Sequence, residues 1–279
     1  MRWMNRAAMA ALGIIGFALV AFAGPASAQA PAPWQLGMQT PSSPVKVRIE
    51  ALHDLLLVII TIITIFVLGL LMYTMWRFRA SANPSPTRTS HNTLLEIAWT
   101  VVPVLILVVI AIPSFKLLYF ADRTQQADMT LKVIGHQWYW SYQYPDHGDF
   151  EVVSNMLPDA EAAKRGEPRL LAVDNRIVVP VNTEIKAIVT SDDVIHSFAV
   201  PAFWTKMDAV PGRLNEVTFK VDKEGLYYGQ CSELCGARHG FMPIAVEVVS
   251  KETFARWVAS KGGKMPGAEP AAAPAAAAP

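Results

Sequence analysis

Two long apolar runs constrain this chain more than any other feature of its sequence. Residues 52–76 and 93–119 are almost wholly apolar. Each run is long enough for a helix that crosses a lipid bilayer, which takes about 20 residues. Hydrophobic residues make up 52% of the 279 residues, a large share for a soluble protein. The sequence therefore predicts a transmembrane helical hairpin over residues 51–120.

The loop between the two runs predicts how the hairpin is oriented. Arg77, Arg79 and Arg88 lie within residues 77–92, and no acidic residue accompanies them. Short loops rich in basic residues remain on the cytoplasmic side of a membrane. The leader, residues 29–50, and the chain beyond the second run are therefore expected outside the cytoplasm.

The pattern of residues 1–28 is typical of a secretory signal peptide. Two arginines precede an apolar stretch, and a small-residue Ala-Ser-Ala pattern ends at Ala28. Cleavage is expected after Ala28, with Ala30 as the alternative. An uncleaved third transmembrane helix is the other interpretation, although the apolar stretch is short for a span.

The chain from residue 125 to residue 258 has the pattern of a β domain. Short segments rich in valine, isoleucine and aromatic residues alternate with turn signals such as Pro211-Gly212. This spacing favours a sandwich or barrel with Greek-key connections. The predicted strands are 130–134, 136–144, 176–180, 184–190, 195–200, 214–220, 225–229 and 243–249. A closing helix is predicted over 251–259, and the tail, 259–279, is rich in alanine and proline and is predicted to be disordered.

Residues that bind soft metal ions are concentrated between Cys231 and Met242. This stretch also contains Cys235 and His239, and His196 lies on an earlier predicted strand. Thiolate and imidazole ligands favour copper, zinc or iron–sulfur sites, and a thioether favours copper. A mononuclear blue-copper site uses one cysteine, so the second cysteine could allow two thiolates to bridge two copper ions.

Two other interpretations of the cysteines remain open. Cys231 and Cys235 could form a disulfide outside the cytoplasm. That pairing would leave His239 and Met242, close downstream, without an explanation. A zinc site is the second alternative, although zinc sites rarely recruit methionine.

The copper-type pattern lies in a segment that resembles a known family. Residues 225–243, GLYYGQCSELCGARHGFMP, are similar to the copper-site signature of subunit II of the cytochrome c oxidases. Other blocks follow in the family's order: LLEIAWTVVPVLILVVIAIPSF (94–115), GHQWYWSYQY (135–144), VDNRIVVP (173–180), DDVIHSFAVP (192–201) and KMDAVPGRLNEV (206–217). The resemblance implies a bacterial aa3-type haem–copper oxidase. It also implies a membrane α plus all-β fold, with a two-helix transmembrane hairpin followed by a cupredoxin-like Greek-key β-barrel or sandwich.

The resemblance implies a set of metal ligands. The implied copper ligands, for a dinuclear CuA centre, are Cys231 and Cys235 as bridges, His196 and His239, and two weak ligands, Met242 and the backbone carbonyl of Glu233. The Glu233 side chain is implied to bind a magnesium or manganese ion shared with subunit I, and a carboxylate suits such a hard cation. Haem is expected only in the partner subunit.

Electron uptake and docking are also implied. Trp138 resembles the family's exposed tryptophan, through which electrons pass from cytochrome c. Cytochrome c presents lysines around its haem edge, so acidic side chains near the copper end are expected to steer it. The implied docking residues are Tyr139, Asp146, Asp149, Asp192 and Asp193. Gln143 stands where some relatives carry a further carboxylate.

Glu96 lies in the first turn of the second apolar run. An ionisable residue in a membrane span is a functional hypothesis by default. A glutamate at a helix start is also favoured by the helix dipole, which is the structural alternative. The resemblance implies that Glu96 lies at the entrance of the oxidase's K proton channel.

The function implied is that of an electron-transfer subunit that is inactive alone. It would accept electrons from reduced cytochrome c and pass them to haem in subunit I, where dioxygen is reduced to water and protons are pumped. The expected partners are subunit I, other oxidase subunits, cytochrome c and the lipid of a bacterial inner membrane, with the copper domain on the periplasmic side. The net charge of +1 gives no indication of a nucleic-acid partner.

Two rival functions are weighed against this one. A quinol-oxidising subunit II would keep the fold but lack the copper ligands, which are all present here. A membrane-tethered periplasmic protein that binds or delivers copper would keep the ligands. Such a protein would not need Trp138, Glu96 or the carboxylate of Glu233.

Overall fold

Two long helices precede a β domain. The computed structural model describes residues 29–85, 87–122 and 127–267. Helix α1 (Pro44–Arg77) and helix α2 (Thr93–Ala121) have mean hydropathies of 3.1 and 2.6 over their most apolar windows, and both are long enough to cross a membrane. Their apolar side chains lie on the outside of the protein, as expected for helices that lipid surrounds. The signal peptide predicted for residues 1–28 lies outside the described residues.

The two helices form an antiparallel hairpin. Near the start of α1, the Arg48 guanidinium lies 3.5 Å from the centre of the Phe120 ring, which is near the end of α2. Ser43 caps α1 by accepting a hydrogen bond from the Lys46 backbone N–H at 3.1 Å, and Pro44 occupies the first turn. Helix α1 therefore begins within the predicted leader, residues 29–50, and not at residue 52.

Within the described residues, ten strands and two short α-helices follow the hairpin. The strands are β1 (Met129–His136), β2 (Tyr139–Tyr144), β3 (Phe150–Ser154), β4 (Ile177–Pro180), β5 (Glu184–Ser191), β6 (His196–Val200), β7 (Thr205–Ala209), β8 (Asn215–Lys220), β9 (Gly225–Gln230) and β10 (Pro243–Val249). Helix α3 (Asp159–Lys164) follows β3, and α4 (Lys251–Ser260) follows β10. The sheets have the orders β3-β2-β1-β5-β8, β4-β10-β9 and β6-β7, with β1 parallel to β5 and β4 parallel to β10. The predicted fold class, a transmembrane hairpin followed by a β-sandwich, is confirmed.

The core of the sandwich lies between the sheets. Along β1 buried residues alternate with half-buried ones, because successive side chains of a strand point to opposite faces. Trp140, Tyr142 and Tyr144 of β2 are fully buried, as is Phe198 of β6. The indole of Trp140 packs edge-on against Phe198, with ring centres 6.0 Å apart. This core brings β2 and β6 together at the end of the domain that carries the candidate metal ligands.

Some predicted boundaries are wrong. The strand predicted over 136–144 is interrupted by a two-residue turn at Gln137 and Trp138, which joins β1 to β2. Strands β3 and β7 were not predicted at all. Chain order extends beyond residue 259, because α4 ends at Ser260 and the Lys264 N–H then donates to the His147 carbonyl at 2.8 Å. Of the predicted disordered tail, residues 268–279 lie outside the described residues.

The leader is joined to the β domain by hydrogen bonds. Gln29 pairs with Tyr227 of β9, and Ser42 donates to the Ala202 carbonyl at 3.2 Å through its backbone N–H. Lys46 is only 2% exposed and lies under Trp204, with its ammonium 4.7 Å from the indole centre. These contacts fix the outer end of α1 against the β domain.

Candidate metal centre

The candidate ligands come from one loop and one strand end. Strands β9 and β10 pair antiparallel, and Gln230 lies opposite Pro243. The connection between these two residues, 231–242, contains four candidate side chains: Cys231, Cys235, His239 and Met242. The fifth, His196, is the first residue of β6. The hairpin thus presents the loop next to the start of β6.

The six predicted copper ligands converge. The Cys231 and Cys235 sulfur atoms lie 3.9 Å apart, and both cysteines are free and buried. Each sulfur has one imidazole neighbour: Cys231 Sγ lies 3.9 Å from His196 Nδ1, and Cys235 Sγ lies 3.5 Å from His239 Nδ1. Each also has one weaker neighbour at 3.4 Å, the Glu233 carbonyl for Cys231 and the Met242 sulfur for Cys235. The two thiols are not joined in a disulfide, whose sulfur atoms would lie about 2.05 Å apart.

A close approach of two strands brings His196 to the loop. Gly229 of β9 lies against the Ala199 carbonyl of β6, so closely that a Cβ atom at Gly229 would be 2.0 Å from that oxygen. Only glycine permits such an approach. Just beyond the end of β9, the Ser232 N–H donates to the Ser197 carbonyl of β6 at 3.0 Å. These contacts set the separation of His196 and Cys231.

The His196 ring is held on several sides. It is fully buried, and a Cβ atom at Gly135 would lie 2.8 Å from its Cδ2 atom. The Trp140 indole packs edge-on against it at 5.9 Å between ring centres. Its Nε2 lies 2.8 Å from Asp193 Oδ1. A carboxylate on Nε2 favours the tautomer that keeps the proton there, which leaves Nδ1 available to a metal ion on the Cys231 side.

The protonation of the cysteine pair is asymmetric. Burial raises the pKa of the Cys235 thiol, and the neighbouring Cys231 raises it further. Burial also raises the pKa of Cys231, but hydrogen bonds, chiefly that with His196, outweigh it and leave the pKa below the ordinary value of a thiol. Without a metal ion the pair therefore retains a proton at neutral pH, which metal binding must displace.

The donor set fits a dinuclear copper centre. Two thiolates, two imidazoles, one thioether and one carbonyl are more donors than a four-coordinate zinc ion uses. Soft sulfur and imidazole donors together with methionine are the set that selects copper. The two sulfur atoms lie at the centre of the cluster, with two imidazoles and two weaker donors around them, which would be enough to give each of two copper ions one imidazole and one weak ligand.

Trp138 lies directly against this cluster. It is half-buried at the tip of the β1–β2 turn, and its indole N–H donates to the Cys235 carbonyl at 3.2 Å. The amide of Gln137 donates to the same carbonyl at 2.9 Å. Tyr139 is half-buried and stacks on His136, with ring centres 4.4 Å apart. The predicted tryptophan is therefore one hydrogen bond away from a bridging cysteine.

The predicted docking carboxylates divide into two groups. Asp192 and Asp193 lie beside the copper end, and the Asp192 side chain is 76% exposed. Asp146 accepts a hydrogen bond from the Thr130 N–H at 2.6 Å, near the start of β1. Asp149 follows in the same turn.

The expectation that all four lie near the copper end is therefore wrong for Asp146 and Asp149. The end of β1 that borders the copper site is His136, and Thr130, which binds Asp146, lies six residues and roughly 20 Å away along the strand. Asp146 and Asp149 are close to Trp138 in sequence, but β2 carries the chain away from the copper site before it reaches them.

Glu233 and Glu96 lie in different surroundings. Glu233 is exposed, its carbonyl is turned toward Cys231, and its carboxylate forms no ion pair with another residue that the structure describes. Glu96 is half-buried in the first turn of α2, where Asn92 caps the helix. The copper domain follows the other end of that helix.

Sequence reasoning missed several residues that shape the site. Gln137 and Gly135 were given no role, Trp140 was expected only to pack the sheet, and Asp193 was assigned to docking and not to His196. For Asp193 a signal was present, because a carboxylate three residues before a histidine ligand can reach its second nitrogen. Trp140 donates from its indole N–H to the Met242 carbonyl at 3.1 Å, a contact that depends on tertiary packing alone.

Comparison with known proteins agrees with this geometry. Residues 129–249 match the family described as cytochrome c oxidase subunit II, periplasmic domain, and residues 31–117 match its transmembrane domain. A probable cytochrome c oxidase subunit 2 of Rickettsia bellii is 55% identical over 243 residues, which cover 87% of this chain and 90% of that protein. The chain belongs to the cytochrome c oxidase subunit II family.

Other members of the subunit II family are also similar. Cytochrome c oxidase subunit 2 of Chondrus crispus is 47% identical over 233 residues, covering 82% of this chain and 91% of that protein. The crystal structure of the periplasmic domain of subunit II of cytochrome oxidase of Bradyrhizobium japonicum is 55% identical, with a TM-score of 0.47. It covers 50% of this chain and 97% of that one.

Family membership settles the coarse function. The chain is subunit II of a cytochrome c oxidase and acts in respiratory electron transport as one subunit of a haem–copper oxidase. It is a membrane protein with a copper-binding domain. A free-standing copper-delivery protein, the rival considered from the sequence, is not favoured.

Proposed function

We propose that this subunit takes single electrons from reduced cytochrome c through Trp138 and hands them to haem in subunit I. The observation that carries the proposal is the hydrogen bond from the Trp138 indole to the carbonyl of Cys235. Cys235 is one of the two thiols at the centre of the ligand cluster. A half-exposed aromatic ring in this position gives a donor protein a short covalent and hydrogen-bonded route to the metal centre.

The chain's own residues hold this centre rigid and dry. Cys231, Cys235 and Met242 are buried, and His196 is fully buried under Trp140. Cys231 and Cys235 would hold a pair of copper ions, and that pair would supply one-electron chemistry when bound. The rigid β9–β10 hairpin supports this by fixing both cysteines, because strands limit the movement of the loop that they carry.

Cytochrome c is proposed to dock on the face around Trp138. Asp192 is exposed there, next to His136 and Tyr139, and provides negative charge for a lysine-rich partner. Asp193 contributes charge, although its carboxylate is already occupied by hydrogen bonds. Asp146 and Asp149 would add only longer-range attraction from the far end of β1, which salt screens.

The exposed part of the copper loop is proposed to face subunit I. Leu234 is 77% exposed and Phe241 is also exposed, and apolar side chains on a surface loop indicate a protein contact. The carboxylate of Glu233 lies beside Leu234 and is proposed to bind a magnesium or manganese ion shared with that subunit. Haem belongs to the partner in this proposal.

The membrane part is proposed to lie in a bacterial inner membrane, with the copper domain in the periplasm and lipid around α1 and α2. The basic loop between the helices supports a cytoplasmic position for that loop. Glu96, in the first turn of α2, would then lie near the cytoplasmic surface, where protons for the K channel are taken up.

The test replaces Trp138 by phenylalanine in the assembled oxidase. Electron uptake from photoreduced cytochrome c is expected to slow by about tenfold or more, because the ring loses its hydrogen bond to the copper loop. Copper content and the electron paramagnetic resonance spectrum should remain those of the unchanged protein. Trp204→Phe, at an exposed tryptophan near the membrane helices, is the control and should keep the normal rate. Normal electron uptake by the Trp138 variant would contradict the proposal.

A further inference from the structure

Gln137 connects the two halves of the ligand cluster. Its backbone N–H donates to Asp193 Oδ2 at 2.6 Å, and the other oxygen of Asp193 lies 2.8 Å from His196 Nε2. Its side-chain amide donates to the Cys235 carbonyl at 2.9 Å. One residue outside the ligand set is thus tied to an imidazole ligand through a carboxylate and to a bridging cysteine directly.

The Cys235 carbonyl receives two donors side by side. The Trp138 indole N–H reaches it at 3.2 Å, next to the amide of Gln137. The peptide that follows is packed tightly against both, because a Cβ atom at Gly236 would lie 3.1 Å from Trp138 Cζ2 and 3.2 Å from Gln137 Nε2. Gly236 also has a φ of +115°, which L side chains rarely adopt. The loop therefore places this peptide where the indole and the amide meet.

Gln137 is held in one conformation although it lies on the surface. Gln137 is exposed, and an exposed glutamine ordinarily samples many rotamers. Here the backbone is fixed by Asp193 and the side chain by Cys235. If the amide were released, the Cys235 carbonyl would keep a single donor, and the contact between the indole and the copper loop would be free to open.

We propose that Gln137 is a positioning residue for electron uptake. Its side-chain amide holds the Cys235 carbonyl against the Trp138 indole. Its backbone hydrogen bond to Asp193 fixes the position of this contact relative to His196. The inference rests on the proposed role of Trp138. In this step one electron leaves the reduced haem of the donor and one is gained at the metal centre, with no bond made or broken. Its rate therefore depends on how closely the ring and the peptide are held.

The experiment uses two substitutions in the complete oxidase. Gln137→Glu keeps the shape of the side chain but removes its N–H donor and adds a negative charge. Gln137→Met removes the donor without adding charge. Both variants are expected to slow electron uptake from photoreduced cytochrome c by about tenfold, the scale on which a small displacement of a reacting group acts.

Docking and positioning predict opposite results for Gln137→Glu. An added carboxylate on the docking face strengthens attraction to a lysine-rich donor, so KM should fall or stay constant while the rate of electron uptake falls. The matched control is Gln143→Glu on β2, where the side-chain amide donates to Glu151 at 2.8 Å. This variant should leave the rate of electron uptake unchanged and lower KM only slightly, because β2 carries residue 143 away from the copper end. The copper electron paramagnetic resonance spectrum is recorded for every variant.

The outcomes separate the inference from the function on which it rests. If both Gln137 variants take up electrons at the normal rate while Trp138→Phe is slow, the positioning role is overturned and the role of Trp138 stands. If Trp138→Phe is also normal, the proposed route itself fails. Loss of copper from both Gln137 variants would also overturn the inference, because Gln137 would then be needed to build the site.

Discussion

The role of the Asp193 side chain depends on its neighbours in the fold, and its place in the sequence alone does not reveal them. Its charge and its place near a histidine ligand indicated a docking residue, but its carboxylate accepts from the Gln137 N–H and lies on His196 Nε2. Burial would raise the pKa of Asp193, yet these hydrogen bonds lower it below its ordinary value. The ligands on the copper loop were predictable because their spacing alone keeps them close. The partners of His196 depend on how three strands pack, which the residues themselves do not specify.

Replacing Asp193 by asparagine is expected to weaken copper binding. The variant loses a charged partner of the His196 ring, and changes of this kind lower metal affinity by about 10- to 100-fold. Copper content after dialysis against a chelator, and the electron paramagnetic resonance spectrum, measure the effect. Asp192→Asn is the matched control, since Asp192 is 3.7 Å from His136 and highly exposed. It should retain copper and only raise KM for cytochrome c, and equal copper loss in both variants would contradict this account.

Copper binding is expected to strengthen as the pH rises. The pKa of the Cys235 thiol is raised by burial and by Cys231. Burial alone would lower the pKa of His196, but hydrogen bonds with Cys231 and Asp193 raise it above its ordinary value. A raised pKa means that the group keeps its proton up to a higher pH, and that proton competes with the metal ion. Affinity should therefore rise up to about tenfold per pH unit for each proton displaced.

A chelator competition at about pH 6 and pH 8, on either side of the ordinary histidine pKa, measures this dependence in the complete chain. The direction in which copper affinity changes with pH decides the prediction. Affinity that is constant or falls as the pH rises would mean that these protons are not displaced by copper.

At the scale of the elements, the helices were easier to predict than the strands. An apolar run long enough to span a bilayer admits little except a helix, because backbone groups in lipid must bond internally. The start of α1 was missed since Ser43 caps it outside the apolar run. Strand β3 is an edge strand and β7 carries Lys206 and Asp208, so neither has the apolar pattern of a central strand. The parallel pairing of β1 with β5 was not predictable, because it joins segments far apart in the chain.

The approach of β6 to β9 gives a prediction at this scale. Gly229→Ala would place a Cβ atom 2.0 Å from the Ala199 carbonyl, so the two strands must separate. The free energy of unfolding should fall by about 1–3 kcal/mol, as for other overpacked sites. His196 would also move away from Cys231, and copper content should fall with stability. Thermal unfolding followed by circular dichroism, together with metal analysis, measures both effects.

Gly240→Ala is the matched control for that substitution. Gly240 lies within the copper loop, but a Cβ atom there meets nothing within 4 Å. The variant should keep the stability and copper content of the unchanged protein. Equal losses at Gly229 and Gly240 would show that the loop tolerates no side chain at all, and that strand separation is not the cause.

At the scale of the whole molecule, the two proposed activities lie at opposite ends. Glu96 lies in the first turn of α2, a helix of 29 residues, and the copper domain follows the last turn. At 1.5 Å per residue, the helix separates them by roughly 40 Å. The two-part architecture was predictable because lipid and water select different sequences. The way in which the helical hairpin joins the β domain, with Lys46 under Trp204, was not predictable, because a lysine near a membrane surface is ordinarily exposed.

This separation predicts an independent effect of Glu96. Glu96→Gln in the assembled oxidase is expected to lower turnover and proton uptake several-fold, because the side chain can no longer exchange a proton. The rate of electron uptake and the copper spectrum should be unchanged at that distance. Glu50→Gln, near the other end of the hairpin, is the control and should keep normal turnover. Normal turnover of the Glu96 variant would contradict a role in proton uptake and would mean that Glu96 only stabilises the start of α2.

The hydrogen bonds between the leader and the β domain bear on how the protein is made. Gln29 completes the edge of β9, and the Asp222 N–H donates to the Ser42 carbonyl at 3.2 Å. The leader is synthesised before the two helices and β9 after them, so the two segments can meet only if both helices span the membrane and place them on the same side. A chain in which only one helix had been inserted would leave the edge of β9 open to proteases and chaperones. The same contacts that anchor the domain thus make correct insertion a condition for its completion.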